Sequence, residues 1–361
     1  MKKNIKKILL LLLLAAISIL VFACNNSVSN ETNNQVETEK NEEVKQTRTI
    51  VDMKGVEVEI PLHVNTYVES WFAHNAVDVM LNDAKGMLVT CCDEPSYKWM
   101  YLVCENMKNA EYMAFSDNMN LEEIISLNPD VVFGSNEKYR EMFLNVGIPF
   151  VNCTFNTYDT MKKSINLTAE ILGDDAKAIA AKYIDYLDRK LQEVKSVTDT
   201  VDEDKRTTIV HGSSVYTLGV DGKNTIIDEW INYSGGVNAA AEDIDGNLKT
   251  MTLEQLLLWD PDVIITGSEQ SEVDSIMSDD KWSSLKAVKN KRVYANPKGV
   301  FAWDRYGVEE ALQFQYCSQL LYPELFKDFD LKYELKYFYK EFFKFDLSDE
   351  QADKILRHEN P

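Results

Sequence analysis

The chain has 361 residues, with 59 acidic side chains against 38 basic ones and a formal net charge of -21. A field of that sign repels nucleic acid and anionic membrane surfaces, so no nucleic-acid partner is expected. From Arg48 onward roughly 310 residues remain, more than one hydrophobic core usually holds, and two domains are predicted.

At the N-terminus, Lys2, Lys3, Lys6 and Lys7 precede an apolar run from Ile8 to Ala23 that stops at Cys24. A charged start, a short apolar stretch and a small residue before the break predict an export signal over residues 1–23. The run falls short of the about 20 apolar residues that cross a bilayer. The tetrad Val21-Phe22-Ala23-Cys24 resembles the lipobox of bacterial lipoproteins, which implies a lipid anchor at Cys24 on the extracytoplasmic face of the cell membrane. Residues 24–47 are polar, lack aromatics and show no apolar period, so a flexible tether is predicted there.

The folded part opens with a hairpin over Thr49–Ile60, turning at Lys54-Gly55. Short β-branched or aromatic strands follow at Asn65–Glu69, Met87–Thr90, Asp130–Phe133 and Pro149–Val151, alternating with helical runs at Ala76–Ala84, Leu121–Leu127 and Lys138–Val146. This alternation predicts a mainly parallel sheet in an N-terminal lobe, residues 48–173. Residues 174–197 contain neither Gly nor Pro and begin with two acids after Gly173. An interlobe helix of about 36 Å is predicted. A second series starts at Thr207–Gly212 and runs through Ile226–Tyr233, Leu253–Leu258, Val263–Gly267, Trp282–Val288 and Arg292–Tyr294, giving a C-terminal lobe over residues 198–361. Aromatic pairs after Tyr322 have helical spacing and predict C-terminal packing helices. The phrase Asn120–Ser135 parallels Thr252–Ser268, each a short helix stopped by Pro and followed by Asp and a buried strand. The expected fold is therefore α/β, with two Rossmann-like lobes, one long helix between them and a cleft at the strand ends.

The duplicated phrase, the Val51-Asp52-Met53-Lys54-Gly55 turn, Gly147-Ile148-Pro149, Ser234-Gly235-Gly236-Val237-Asn238 and Asp280-Lys281-Trp282 with Leu285–Asn290 occur in an order that resembles one family. That family is the periplasmic binding proteins with a rigid interlobe helix, which serve ABC importers of siderophores, haem, cobalamin and, in some branches, molybdate or tungstate. The resemblance implies a monomeric solute-binding lipoprotein that hands a small ligand to a membrane permease. An iron complex such as a siderophore or haem is expected first, then molybdate, tungstate or cobalamin.

Loops after the strands supply the candidate ligand-binding residues: Trp71, Ser135, Asn136 and Thr154 in the first lobe, and His211, Ser213, Trp303, Arg305 and Tyr306 in the second. Arg305 offers five fixed donors suited to carboxylate or oxyanion, and Trp303 a flat apolar face. The structural alternatives are a salt bridge from Arg305 to Asp304, Glu309 or Glu310, a core position for Trp303, and a buried hydrogen bond for His211. The resemblance assigns permease docking to Glu122 and Glu254, at equivalent places in the duplicated phrase.

Of the four histidines only His74 and His211 fall near cleft loops, with no visible cluster of further ligands, so neither a metal ion nor a cofactor is expected. Nucleophile-elbow, phosphate-loop, dinucleotide and HExxH signatures are absent, which argues against a metal-chelate-processing enzyme. Cys91, Cys92, Cys104, Cys153 and Cys317 are consistent with either disulfides or buried thiols.

Overall fold

Strands β1 (Thr47–Val51) and β2 (Glu57–Pro61) pair antiparallel, with Thr47 opposite Pro61 and Val51 opposite Glu57. Asp52 closes the turn, its Oδ1 accepting from the backbone N–H groups of Lys54 (2.9 Å) and Val56 (3.1 Å). The computed structural model describes residues 46–116, 119–267 and 269–361. The export signal, Cys24, nearly all of the tether and Ser268 lie outside the described residues.

The first lobe continues through β3 (Tyr67–Glu69), α1 (His74–Asn82), β4 (Met87–Thr90), α2 (Lys98–Val103), β5 (Glu111–Tyr112), α3 (Leu121–Leu127), β6 (Val131–Gly134), α4 (Glu137–Leu144), β7 (Phe150–Asn152) and α5 (Tyr158–Leu172). Its five strands are all parallel in the order β5-β4-β3-β6-β7. After α6 (Asp174–Thr198) come β8 (Thr208–Gly212), β9 (Gly219–Val220), α7 (Ile226–Tyr233), β10 (Val237–Asn238), β11 (Lys249–Thr250), α8 (Leu253–Trp259), β12 (Val263–Thr266), α9 (Gln270–Ser278), α10 (Lys286–Lys289) and β13 (Val293–Ala295). Here four parallel strands run β10-β8-β12-β13, and β9 pairs with β11 as a separate antiparallel ribbon. The chain ends in α11 (Glu310–Leu321), α12 (Leu331–Phe342) and α13 (Asp349–Leu356).

Alternation along the strands explains the layering. Tyr67, Val131 and Phe133 of the first sheet, with Ile209, Val263 and Ile265 of the second, point into one shared core, whereas Val68 and Val132, or Val210 and Ile264, enter separate outer cores. Both faces of each sheet are thus covered, as parallel sheets require. The shared core is carried across by α6, whose buried stripe of Ala180, Tyr183, Leu187, Leu191 and Val194 recurs every three or four residues. Its 25 residues extend about 37 Å, unbroken, packing on α1 and α5 of one lobe and on α7 and α11 of the other. It begins at Gly173, whose φ of 109° only glycine adopts readily.

The duplicated Pro-Asp phrase has a physical cause. Asp130 Oδ2 accepts from the N–H groups of Asn65 (2.9 Å) and Thr66 (3.1 Å), and Asp262 Oδ2 from the N–H (3.0 Å) and hydroxyl (2.9 Å) of Thr208. Each carboxylate therefore locks the start of its lobe's central strand to the neighbouring strand. The C-terminal helices pack on the interlobe helix as well as on the second lobe: Tyr186 and Lys190 both reach Glu334 (2.6 and 2.9 Å). The tail returns to the first lobe, where the Trp99 indole N–H donates to the carbonyl of Glu359 (2.9 Å). Cys91, Cys92, Cys104, Cys153 and Cys317 are all buried free thiols, so no disulfide joins them.

Candidate functional site: an aromatic slot between the lobes

The carboxyl ends of the strands in the two sheets face each other, and the loops that leave them meet. Trp71, between β3 and α1, and Phe155, between β7 and α5, converge on Tyr306 from the loop after β13, at ring-centroid distances of 6.0 and 5.7 Å. A second crossing stacks Tyr97 on Phe301 (6.0 Å, 4° between planes) with the Lys298 ammonium over the Tyr97 ring (5.5 Å). Tyr306 holds a left-handed backbone at φ 54°, unusual for a bulky side chain. Its N–H donates to Glu310 (3.1 Å), its hydroxyl accepts from Asn247 (3.2 Å), and these bonds aim the ring at the first lobe. Strained backbone that is held this firmly tends to mark a functional position.

Behind Tyr306 lies a closed ring of four charges. Arg305 Nη2 donates to Asp221 Oδ2 (2.6 Å), and the same oxygen accepts from His211 Nδ1 (3.0 Å). His211 Nε2 donates to Asp304 Oδ2 (2.8 Å), which stands 3.7 Å from Arg305 Nε. Burial alone would lower the His211 pKa, yet the two hydrogen-bonded carboxylates outweigh it and raise the value above 6.5. Burial would likewise raise Asp221, but His211 and Arg305 hold it down to about 2. Two cations thus balance two anions. Neighbouring Glu310 is pushed far above the usual carboxylate range, chiefly by burial. Arg305 keeps about a seventh of its side chain exposed (14%), and its Nε makes no hydrogen bond.

The sequence-predicted residues divide accordingly. Trp71 and Tyr306 meet in the aromatic contact, and Arg305, next to Tyr306 in the chain, is held by Asp221 in the ring behind it. His211 is fully buried beneath it and reaches the slot only through Asp221 and Asp304. Trp303 is a correction: it is fully buried, its indole N–H donates to Glu309 (3.1 Å), and its ring packs edge-on to Tyr316 (6.4 Å), so it belongs to the shared core. The Glu309 carboxyl also accepts from the Phe301 N–H (2.7 Å) and the Tyr339 hydroxyl (2.6 Å), and burial raises it to about 7. A Cβ on Gly299 would stand 2.0 Å from the Tyr339 hydroxyl oxygen and 2.1 Å from Glu309 Oε1, which explains a glycine where this loop closes on α11. Asn136 caps α4 through Lys138 N–H (3.1 Å), and the Thr154 hydroxyl donates to Asn152 beside it. With Ser135, whose carbonyl accepts from Asn152 (3.3 Å), they form a polar rim next to the aromatic contact. Ser213 is exposed after β8, and Glu122 and Glu254 are exposed on α3 and α8.

Tyr97 and Asp221 were missed as site members; Phe155 and Phe301 lie on loops that the sequence places at the cleft but are not singled out there. Asp221 directly follows β9 and is held against β8 by its N–H, which donates to the His211 carbonyl (2.9 Å), a contact that no local motif announces. A further cluster was missed behind Trp71: Glu69, His74 and Asp78 converge, fully buried, with ligand atoms all within 4.8 Å of one another. The spacing Glu-x4-His-x3-Asp across a strand end and one helical turn carried that signal.

Residues 115–299 match the family model described as periplasmic binding protein, just over half of the chain. The chain belongs to the periplasmic binding protein family. This periplasmic binding protein is the substrate-binding component of an ABC importer and not an enzyme, as the sequence implied. It is 27% identical over 313 residues to the molybdate-binding protein MolA of Haemophilus influenzae, covering 79% of this chain and 87% of that one. Over 201 residues it is 25% identical to the Fe(3+)-citrate-binding protein YfmC of Bacillus subtilis, covering 52% and 59% of the two chains. Among solved structures, a periplasmic solute-binding protein from Veillonella parvula superimposes with a TM-score of 0.72 at 26% identity, over 86% of this chain and 97% of that one. MolA bound to molybdate superimposes with a TM-score of 0.75 at 24% identity, over 83% and 99%. Among the described residues no helix is long and apolar enough to cross a membrane.

Proposed function

We propose that this binding protein captures a compact metal chelate, an iron complex before any other, between Trp71 and Phe155 on one wall and Tyr306 and Arg305 on the other. The observation that supports this reading is the charge-balanced ring behind Tyr306. Asp221 already occupies both terminal nitrogens of Arg305 at 2.6 and 3.5 Å, so a bare dianion would meet carboxylates as well as the guanidinium. Three aromatic faces suit the flat or apolar arms of a chelate. A second reading, molybdate or tungstate, rests on the 27% identity to MolA and on Arg305, whose Nε makes no hydrogen bond.

Around that site the proposal has the chain anchored by a lipid on Cys24, tethered through residues 24–47, and docked as a monomer on its permease through Glu122 and Glu254. Residues 48–173 and 198–361 act as the two jaws and residues 174–197 as a stiff spacer that limits closure to a small rotation. A ligand that binds only the native state raises the melting temperature. Thermal-shift titration of the protein with ferric citrate, a ferric catecholate and sodium molybdate is expected to rank a ferric chelate first. A shift with molybdate alone would replace the first reading by the second. Absence of any shift with all three would sink both.

A further inference from the structure

We propose that Glu69, His74 and Asp78 form a structural site for a divalent transition-metal ion of the zinc class, inside the first lobe and separate from the ligand slot. Glu69 ends β3, and His74 and Asp78 lie one turn apart on α1, so strand and helix present three donors to one point. His74 Nδ1 stands 2.6 Å from Glu69 Oε2 and 3.9 Å from Asp78 Oδ1, and all three side chains are completely buried. Donor atoms around a tetrahedral zinc stand roughly 3.3 Å apart when each bond is about 2 Å. The observed spacings bracket that value.

Two further observations point to a cation. The Thr168 hydroxyl donates its one proton to the carbonyl of Ser164 (3.1 Å), so at 2.9 Å it accepts from His74 Nε2. The ring proton is thereby fixed on Nε2, and in the neutral ring the bare Nδ1 lone pair faces two carboxylates. A metal-bound histidine commonly shows this pattern, with the far nitrogen held by a second partner. The other observation is Asp78 itself, whose two oxygens are buried and make no hydrogen bond. Both are explained if Asp78 chelates through both oxygens, with Glu69 Oε2 and His74 Nδ1 completing four donors. No lysine or arginine pairs with either carboxylate among the described residues; their ion-pair partner is His74. One nitrogen with oxygens suits a borderline divalent ion better than calcium or magnesium.

The ion would also fix the slot's first wall. Glu69 Oε1 accepts from the Trp71 N–H (2.7 Å), and the Trp71 ring lies over His74 at 6.1 Å and 9°.

The test is metal analysis of the full chain, purified from membranes of cells grown with zinc, then titrated with zinc after exhaustive chelation. Roughly one equivalent of tightly held metal per chain is expected in the purified protein, returning on titration, with a melting temperature that falls on chelation and recovers with zinc. Asp78→Asn is expected to weaken zinc binding at least tenfold, and Arg305→Ala to leave it unchanged. Should Asp78→Asn fail to fold, the wild-type stoichiometry and its chelator-dependent melting decide alone. A purified chain that carries no metal, and that chelator and zinc leave unmoved, would show protons filling the cluster and overturn the proposal. So would zinc binding in a folded Asp78→Asn chain that is as tight as in the wild type.

Discussion

Each lobe buries a histidine among carboxylates next to the slot, and the two arrangements differ in how charge is closed. In the second lobe His211, Asp221, Arg305 and Asp304 alternate in sign, and three hydrogen bonds of 3.0 Å or less join His211 to both aspartates and Asp221 to Arg305. In the first lobe two carboxylates share one histidine: His74 is hydrogen-bonded to Glu69 (2.6 Å), and neither Asp78 oxygen makes a hydrogen bond. A closed ring holds Arg305 and, beside it, Tyr306 in one geometry before any ligand arrives. The open cluster sets two carboxylates against a single histidine, and it sits where a further positive charge would position Trp71. Preorganisation is internal on one wall and supplied from outside on the other.

The largest expected effect separates the two clusters by stability. Asp221→Ala strands two buried cations and is expected to cost about 3–5 kcal/mol, since removing one partner of a buried ionic network leaves the others uncompensated. In metal-free protein Asp78→Asn removes a carboxylate that makes no hydrogen bond, and is expected to cost less than about 1 kcal/mol. Urea unfolding of both variants decides this, and equal losses would erase the contrast.

The next effect is on pH dependence. The raised His211 pKa contributes stability that is fully present below its ordinary value of 6.5 and is lost as pH rises through the higher folded value. The depressed Asp221 pKa contributes stability that is present above its ordinary value of 3.8 and is lost as pH falls through about 2. Melting temperature is therefore expected to be highest between these limits. His211→Gln should flatten the alkaline decline; an unchanged profile would mean that the ring is not charged in the native state.

How much of this was legible in the sequence follows the range of the interactions. The helices Leu121–Leu127 and Ile226–Tyr233 and the strand Met87–Thr90 were read to the residue, because apolar period and flanking polar residues set them locally. Helix α5 was not read, since Thr157, Thr160, Asn166 and Thr168 dilute its pattern; only the Thr157–Thr160 capping box marks its start. Trp303 was misplaced because its two-residue spacing from Arg305 says nothing of Glu309 beneath it. Asp221 and the Glu69, His74 and Asp78 cluster depend on which strands and helices meet, and that is settled by the fold as a whole.

A smaller effect should touch neither cluster. Glu122→Ala and Glu254→Ala are exposed changes expected to alter stability by less than about 0.5 kcal/mol and to leave ligand affinity as it was, while uptake by intact cells falls when both are made. Normal uptake in the double variant would remove these glutamates from permease docking.

The most direct test of the slot is calorimetric titration of ferric citrate, or of whichever ligand gives the larger thermal shift, into the wild-type chain and Tyr306→Ala. Removing an aromatic anchor at the centre of a binding contact commonly costs about 2 kcal/mol or more, so affinity is expected to fall at least tenfold. Equal affinities in the two chains would contradict the placement of the ligand between Trp71, Phe155 and Tyr306.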